Sequence, residues 1–168
     1  GQGRFFSILN RRDSGYGSGP ITGLYAESLT REEVWKALLN RRTYATTGAR
    51  IILRFEANGM PMGSTIKVKG PPKIKVEVHG TSEIERIDII RNKSLLRSFK
   101  CSSKDVVCQF IDKSVPIGES YYYVRVVQSD GEYAWSTPIW IINECYTPET
   151  VNLQPWNREP NVDLADLR

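Results

Sequence analysis

The chain has 168 residues, of which 40% are hydrophobic and 25% are charged, as expected for a globular domain with a hydrophobic core. A TIM-barrel enzyme needs roughly 250 residues, so the length excludes that architecture. The single histidine, His79, is too few for a multinuclear metal hydrolase, whose ligands come from several histidines.

The formal net charge is +4, and the positive charge lies in the body of the chain, because residues 143–168 are acidic. A basic surface can attract nucleic acid. The lysines at 67, 69, 73 and 75, however, fall at every second position around a turn, which is typical of the solvent-facing side of strands. No nucleic-acid-binding motif accompanies them, so we predict no nucleic-acid partner.

Glycine is frequent in residues 1–28, which predicts an irregular segment with at most a short strand at 4–9. We interpret this segment as the remnant of an upstream domain. Thr30 and Glu33 then form a capping box, and apolar residues follow at helical spacing. The helix is predicted to end near Arg42, because the threonines that follow favour extended backbone. Residues 29–48 are therefore expected to be a helix and its connector.

From residue 50 the apolar residues alternate with polar ones, as in half-buried strands. Turn signals every 8–12 residues indicate about seven short strands, which favours an antiparallel β-sandwich of immunoglobulin or fibronectin type III kind over residues 49–142. A small barrel is the alternative. Residues 143–168 contain prolines and acidic residues and are predicted to form an extended tail.

The three cysteines, at 101, 108 and 145, are an odd number and exclude a complete disulfide framework. Cys101 and Cys108 could bridge across neighbouring strands, or all three could be small buried hydrophobes in a reducing compartment. The sequence has no signal-peptide pattern and no apolar run near 18 residues. We therefore expect a soluble chain without a membrane partner, in an undetermined compartment.

Catalytic motifs are scarce, and no catalytic, metal or cofactor site is predicted from the residues. His79 is expected to point outward from its strand as an ordinary surface histidine, and Glu83, Glu85 and Asp88 are interpreted as surface charges. The candidate binding residues lie where the helix ends: Arg41, Arg42, Tyr44, Thr46 and Thr47. Arginines at a helix C-terminus and threonines at a strand start also occur without any ligand.

Three stretches carry a family resemblance: GLYAESLTRE at 23–32, ALLNRRTYATTGARI at 37–51 and YYYVRVVQSDGEYAWSTPIWI at 121–141. They resemble the C-terminal part of a family of large uncharacterised prokaryotic proteins related to the PHP (polymerase and histidinol phosphatase) metal-dependent hydrolases. The resemblance implies that a metal-binding domain precedes a last helix and a β-sandwich. The family's Asp-His-Ser-Gly-Tyr-Pro-Gly segment resembles residues 12–17, where Arg12 and Asp13 replace the Asp and His. In the alternative register, Asp13 matches an Asp and Gly15 replaces the His of an Asp-x-His pattern. A metal ligand is thereby lost, so this chain alone is not expected to be an enzyme.

Two functions remain open. In the first, the chain is a non-catalytic accessory β-sandwich of such a hydrolase, with an apolar face left open at Leu24, Tyr25, Trp35 and Leu39. An upstream catalytic domain or a second copy of the chain would cover that face. In the second, the chain is a standalone binding module for a carbohydrate or an anionic ligand, held by the residues at the helix end.

Overall fold

The computed structural model describes residues 4–8 and 19–144, which form one helix and eleven strands. The elements in chain order are β1 (Arg4–Ile8), β2 (Ile21–Ala26), α1 (Arg31–Leu39), β3 (Thr43–Thr46), β4 (Ile52–Ala57), β5 (Met60–Pro61), β6 (Thr65–Val68), β7 (Lys73–Arg91), β8 (Ser94–Ile111), β9 (Gly118–Gln128), β10 (Tyr133–Ser136) and β11 (Ile139–Asn143). The protein is mainly β, as predicted, and the helix is found where the capping box placed it.

The helix α1 begins after Thr30, whose hydroxyl accepts a hydrogen bond from the Glu33 backbone N–H at 3.3 Å. It ends at Leu39, three residues earlier than predicted, because Arg41 adopts a positive φ of 55° and turns the chain into β3. The inner side of α1 rests on β2, where Ala37 packs against Leu24 and Ala26.

The segment predicted to be irregular contains two strands, because β2 pairs antiparallel with both β1 and β3. Gly23, which favoured a loop in the sequence, lies within β2 opposite Tyr44. A Cβ atom at this glycine would lie 2.3 Å from the Tyr44 ring, so the missing side chain makes room for that ring. The glycine therefore marks a close approach inside a strand.

Four of the predicted short strands are the two long strands β7 and β8, which pair with each other along most of their lengths. The first half of β7 lies between β4 and the second half of β8, whereas its second half lies between the first half of β8 and β9. The ladder is interrupted between His79 and Ile84. The described strands thus form one continuous, strongly curved sheet, and a sandwich of about seven strands is not confirmed.

All strand pairs in the described residues are antiparallel except β6 with β11, which is parallel. The hydrophobic core lies on the inner face of the curved sheet, where alternate residues of β4 and β7 are fully buried: Leu53, Phe55, Ala57, Ile74, Val76 and Val78. This alternation leaves the intervening residues of β4 and β7 on the outer face, which positions the site described below.

Cys101 and Cys108 are free thiols on the same strand, β8, so of the two alternatives the bridge across neighbouring strands is not formed. Both are half-buried against the core, and burial raises the pKa of the Cys108 thiol to about 11. Asp13 and residues 145–168 of the predicted tail, with Cys145, lie outside the described residues, whereas Asn143 at the start of that range is the last residue of β11. The one helix among the described residues is neither long nor apolar enough to cross a membrane.

Candidate functional site

An open groove lies between the β2–β3 ribbon and the outer face of β4 and β7, with a cavity volume of about 350 Å³. Its ribbon wall consists of Tyr25, Ala26, Glu27 and Arg42. Its sheet wall and ends consist of Arg54, Phe55, Glu56, Gly59, Pro61, Met62, Lys75 and Glu77. We refer to this cavity as the charged groove. Its volume is in the range that small-molecule sites occupy.

Strand register explains why charged side chains of opposite sign line the sheet wall. Arg54 of β4 lies opposite Glu77 of β7, and Glu56 lies opposite Lys75. Arg54 Nη1 donates to Glu77 Oε1 at 3.1 Å. Such cross-strand pairs stabilise neighbouring strands, so part of this charge supports the sheet itself.

Tyr25 connects the two walls of the charged groove. Its hydroxyl donates to the Leu53 carbonyl at 2.7 Å, and the Arg54 guanidinium lies 5.9 Å from its ring centroid. Burial raises the pKa of Tyr25 above its ordinary range, so the hydroxyl stays protonated and acts as a donor. The ribbon is thereby held against the outer face of β4.

His79 lies next to the charged groove and bridges two strands. Its Nδ1 is 2.6 Å from Asp105 Oδ1 on β8, and its Nε2 is 3.1 Å from Glu77 Oε1 on its own strand. A neutral imidazole can donate from only one nitrogen, so two carboxylate contacts require the doubly protonated ring. The hydrogen bond to Asp105, followed by that to Glu77, raises the pKa of His79, and the same contact from His79 lowers the pKa of Glu77.

We expect the protonated His79 to stabilise the folded state by less than about 1 kcal/mol, since 44% of its side chain is exposed and solvent screens the pairs. The folded pKa is above the unfolded value of 6.5, so this contribution is fully present below 6.5 and is lost as the pH rises through the folded pKa. Because the chain has one histidine, a proton NMR titration of its ring measures that pKa without ambiguity.

The matched variant for this titration is Asp105→Asn, which removes the stronger of the two partners. The pKa of His79 should fall toward 6.5 in this variant, because the charge-assisted bond to Asp105 is its largest cause. A wild-type pKa at or below 6.5 would contradict the arrangement.

The structure does not bring the five predicted binding residues into one site. Tyr44 and Thr46 are buried, and the Tyr44 hydroxyl donates to the Ile51 carbonyl at 2.9 Å. Thr47 bonds to the Glu132 carboxylate and accepts from the Tyr133 backbone N–H. Arg41 donates to the Gly63 carbonyl at 3.1 Å and stacks over Trp140. Of the five, Arg42 alone lines the charged groove.

The predicted apolar face is partly correct in position. Leu24 is completely buried beneath α1, so its prediction as an open residue is wrong, and Tyr25 is half-buried in the charged groove. Trp35 and Leu39 are 61% and 65% exposed. Sequence reasoning missed Leu29 and Leu38, which are 69% and 43% exposed on the same helix and at its start.

Asp88, interpreted from the sequence as a surface charge, is 1% exposed and lies within the sheet. Arg125 donates to it twice, at 2.8 and 3.1 Å, and Ser98 donates at 2.7 Å. Burial alone would raise the pKa of Asp88, but these hydrogen bonds hold it below its ordinary range. The described residues contain no group of three or more His, Cys, Asp or Glu side chains placed to hold a metal ion.

Residues 4–58 match the sequence model of a family described as "Protein of unknown function (DUF3604)". The chain is 34% identical over 139 residues to an uncharacterised protein of Chlamydia pneumoniae, and the match covers 72% of this chain and 22% of that protein. An uncharacterised protein of Chlamydia trachomatis serovar D is 33% identical with the same coverage. The chain thus spans about a fifth (22%) of the length of the curated relatives it matches.

Among solved structures, the fold is similar to the fibronectin(III)-like modules of Clostridium thermocellum CbhA, with a TM-score of 0.42 and 12% identity, over 55% of this chain and 98% of that chain. The family match and the chlamydial relatives support an uncharacterised family. The matched residues 4–58 contain α1, the ribbon wall of the charged groove and the β4 residues of its sheet wall.

Proposed function

We propose that this chain is a non-catalytic accessory β module of a larger protein, and that it docks on another domain through the exposed side of α1. The observation that carries the proposal is the exposure of four large apolar side chains at and around one short helix: Leu29, Trp35, Leu38 and Leu39. We refer to these four residues as the docking face. Their exposed fractions lie between 43% and 69%.

The docking face is distinct from the side of α1 that the fold itself uses. Ala37 is 3% exposed and packs on β2, so one side of the helix is already covered. A second apolar side has no role in this packing, and contiguous exposed apolar surface commonly marks a contact with another protein surface. Part of the docking face forms a shallow depression that would accept an apolar side chain from the other domain. It is lined by Leu29, Thr30, Arg31, Glu32, Val34 and Trp35.

The occupant in this proposal is a neighbouring domain of the same, longer polypeptide. Two findings support it: the chain corresponds to 22% of the length of its relatives, and the family match over residues 4–58 includes α1. The resemblance at residues 23–51 supports a PHP-related metal-dependent hydrolase as that neighbour. The chain would then be the helix and fibronectin-like β module that follow the catalytic domain.

An accessory role also agrees with the state of the only histidine. Both ring nitrogens of His79 are engaged by carboxylates, at 2.6 and 3.1 Å. A histidine that acts as a general base needs an unprotonated nitrogen facing its substrate. His79 therefore supports the sheet in this structure.

The test is the solution mass of the purified chain, measured by light scattering, with metal content determined on the same sample. With the docking face uncovered, we expect a dimer or larger species without stoichiometric metal. The double variant Trp35→Ser/Leu39→Ser is expected to return the chain to a monomer, because it removes the two most exposed apolar side chains of α1 itself.

The matched control is Met60→Ser/Ile117→Ser, which replaces two exposed apolar residues outside α1 and should leave the mass unchanged. A wild-type monomer would contradict the docking face. Stoichiometric zinc or manganese would contradict the non-catalytic assignment.

A further inference from the structure

We propose that the charged groove binds a small zwitterion, an amino acid or dipeptide, with the ligand's carboxylate at Arg42 and its ammonium between Glu27 and Glu56. The site is independent of the docking face, because no residue of α1 lines the charged groove. It also differs from the cluster predicted at the helix end, with which it shares only Arg42.

Arg42 is the best-placed cation of the charged groove. Its backbone carbonyl accepts from the Tyr25 N–H at 3.0 Å, which fixes the main chain of Arg42 beside Tyr25, and its side chain lines the ribbon wall. It is half-buried, and within residues 4–8 and 19–144 its guanidinium has no hydrogen bond or ion pair. A guanidinium offers five donors in a planar fork that matches a carboxylate. Arg42 therefore has the capacity to bind one.

The other two cations of the charged groove are engaged. Arg54 is bonded to Glu77, and Lys75 Nζ lies 3.9 Å from the same carboxylate. Glu77 Oε1 also accepts from His79, so this carboxylate already holds two hydrogen bonds from its neighbours. Neither Arg54 nor Glu77 is free for a ligand without breaking contacts that hold β4 to β7.

Two carboxylates remain in the charged groove. Glu27 follows β2 two residues after Tyr25, and Glu56 lies opposite Lys75 on the sheet wall. Neither makes a side-chain hydrogen bond or an ion pair within the part of the chain that the structure describes. A ligand ammonium, with three donors, would satisfy one or both.

The charge balance decides the ligand class. The charged groove is lined by three basic residues, Arg42, Arg54 and Lys75, and three acidic ones, Glu27, Glu56 and Glu77. Opposing carboxylates would repel a simple anion, and Arg42 would repel a simple cation. A ligand that carries both charges satisfies both sets, and a cavity of about 350 Å³ accommodates an amino acid or a dipeptide.

The test is a titration of the isotope-labelled chain with glycylglycine, followed by NMR chemical shifts. We expect saturable shifts at Tyr25 and Arg42. N-acetylglycylglycine, which lacks the ammonium, and glycylglycinamide, which lacks the carboxylate, should each bind at least about tenfold more weakly, as should inorganic phosphate, since each loses a charge-assisted hydrogen bond.

Variants assign the two ends of the ligand. Arg42→Gln should weaken glycylglycine binding by at least about tenfold. Glu27→Gln/Glu56→Gln should also weaken glycylglycine binding by at least about tenfold, and this variant should not bind glycylglycinamide more tightly than glycylglycine. The control Arg50→Gln removes an exposed arginine outside the charged groove and should change nothing. Arg42→Lys keeps the charge and tests the contact if Arg42→Gln does not fold.

Three results would overturn the proposal. The first is no saturable shift with glycylglycine, and the second is equal binding of phosphate and glycylglycine. The third is that wild type, Arg42→Gln and Arg42→Lys all bind glycylglycine equally. Equal binding of phosphate would define an anion site.

Discussion

Replacing Gly63 with alanine should lower the free energy of unfolding by about 3 kcal/mol, the sum of a strained backbone and a steric conflict. Gly63 is buried and has a φ of +87°. A Cβ atom there would lie 2.5 Å from the carbonyl oxygens of Asn40 and Arg41, which are backbone atoms and cannot rotate away. Equilibrium urea unfolding measures the loss.

Gly63 also joins two parts of the fold, which is why its neighbours cannot simply move apart. Its N–H donates to the Pro138 carbonyl at 2.9 Å, and its own carbonyl accepts from Arg41 Nε at 3.1 Å. Displacing it would break both bonds and disturb the connection between α1 and β3.

The control is Gly59→Ala, at a glycine with a similar φ of +78° but with no atom within 4 Å of the added methyl group. This variant should lower the free energy of unfolding by only about 1 kcal/mol, which is the contribution of the strained backbone alone. Equal losses in the two variants would show that the close approach at Gly63 contributes nothing.

Replacing Asp112 with alanine should lower the free energy of unfolding by about 4 kcal/mol, because it breaks a buried charged cluster. Asp112 is 3% exposed and accepts from Arg91 at 2.6 Å and from the Tyr122 hydroxyl at 2.7 Å. Ser114 also donates to it from its backbone and side chain, at 2.9 and 2.7 Å. Without the carboxylate, the completely buried Tyr122 hydroxyl loses its acceptor. The largely buried Arg91 guanidinium loses its ion-pair partner and keeps only the neutral oxygens of Ser114 as acceptors.

The pH dependence of this cluster has a definite sign. Burial alone would raise the pKa of Asp112, but hydrogen bonds from Tyr122 and Ser114, together with Arg91, hold it below 3.8. Its contribution is therefore present above 3.8 and is lost as the pH falls through the lower folded pKa. The free energy of unfolding, measured by urea unfolding at several pH values in the acid range, should depend less on pH in Asp112→Ala than in wild type.

A double-mutant cycle with Tyr122→Phe separates the hydroxyl bond from the rest of the cluster. The double variant should lose less stability than the sum of the two single variants, because the bond can be lost only once. Strict additivity would mean that the bond at 2.7 Å contributes no coupling energy.

Local patterns in the sequence predict the parts of the fold that local interactions determine. The capping box at Thr30 marks the start of α1, and strict alternation identifies the inward residues Leu53 and Phe55. The continuity of β7 could not be predicted, because Gly80 and the polar residues after it resemble a turn. In the structure, Gln128 Oε1 accepts from the Thr81 and Ser82 backbone N–H groups at 2.9 and 3.4 Å. That contact spans more than forty residues of sequence.

The charged groove was beyond prediction for the same reason. Arg42 was a candidate binding residue, but Tyr25, Arg54 and Glu77 come from three other strands, and only the folded sheet brings them together. Asp88 was misjudged because Arg125, which donates to it twice, lies 37 positions away in the sequence. Arg86, two residues before Asp88, also donates to it at 3.1 Å, but an arginine so near in sequence does not indicate burial. Charged residues that pair across a sheet leave no local pattern.

The two long strands join the two halves of the described sheet. β7 and β8 each contribute to both halves of the curved sheet, so no linker separates the halves. Opening either half withdraws hydrogen-bonding partners from the other, which couples them into one cooperative unit. The ladder between β7 and β8 is interrupted between His79 and Ile84, and there Gln128 of β9 accepts from the Thr81 and Ser82 backbone N–H groups. We therefore expect that a force applied to either half is borne by the whole described sheet.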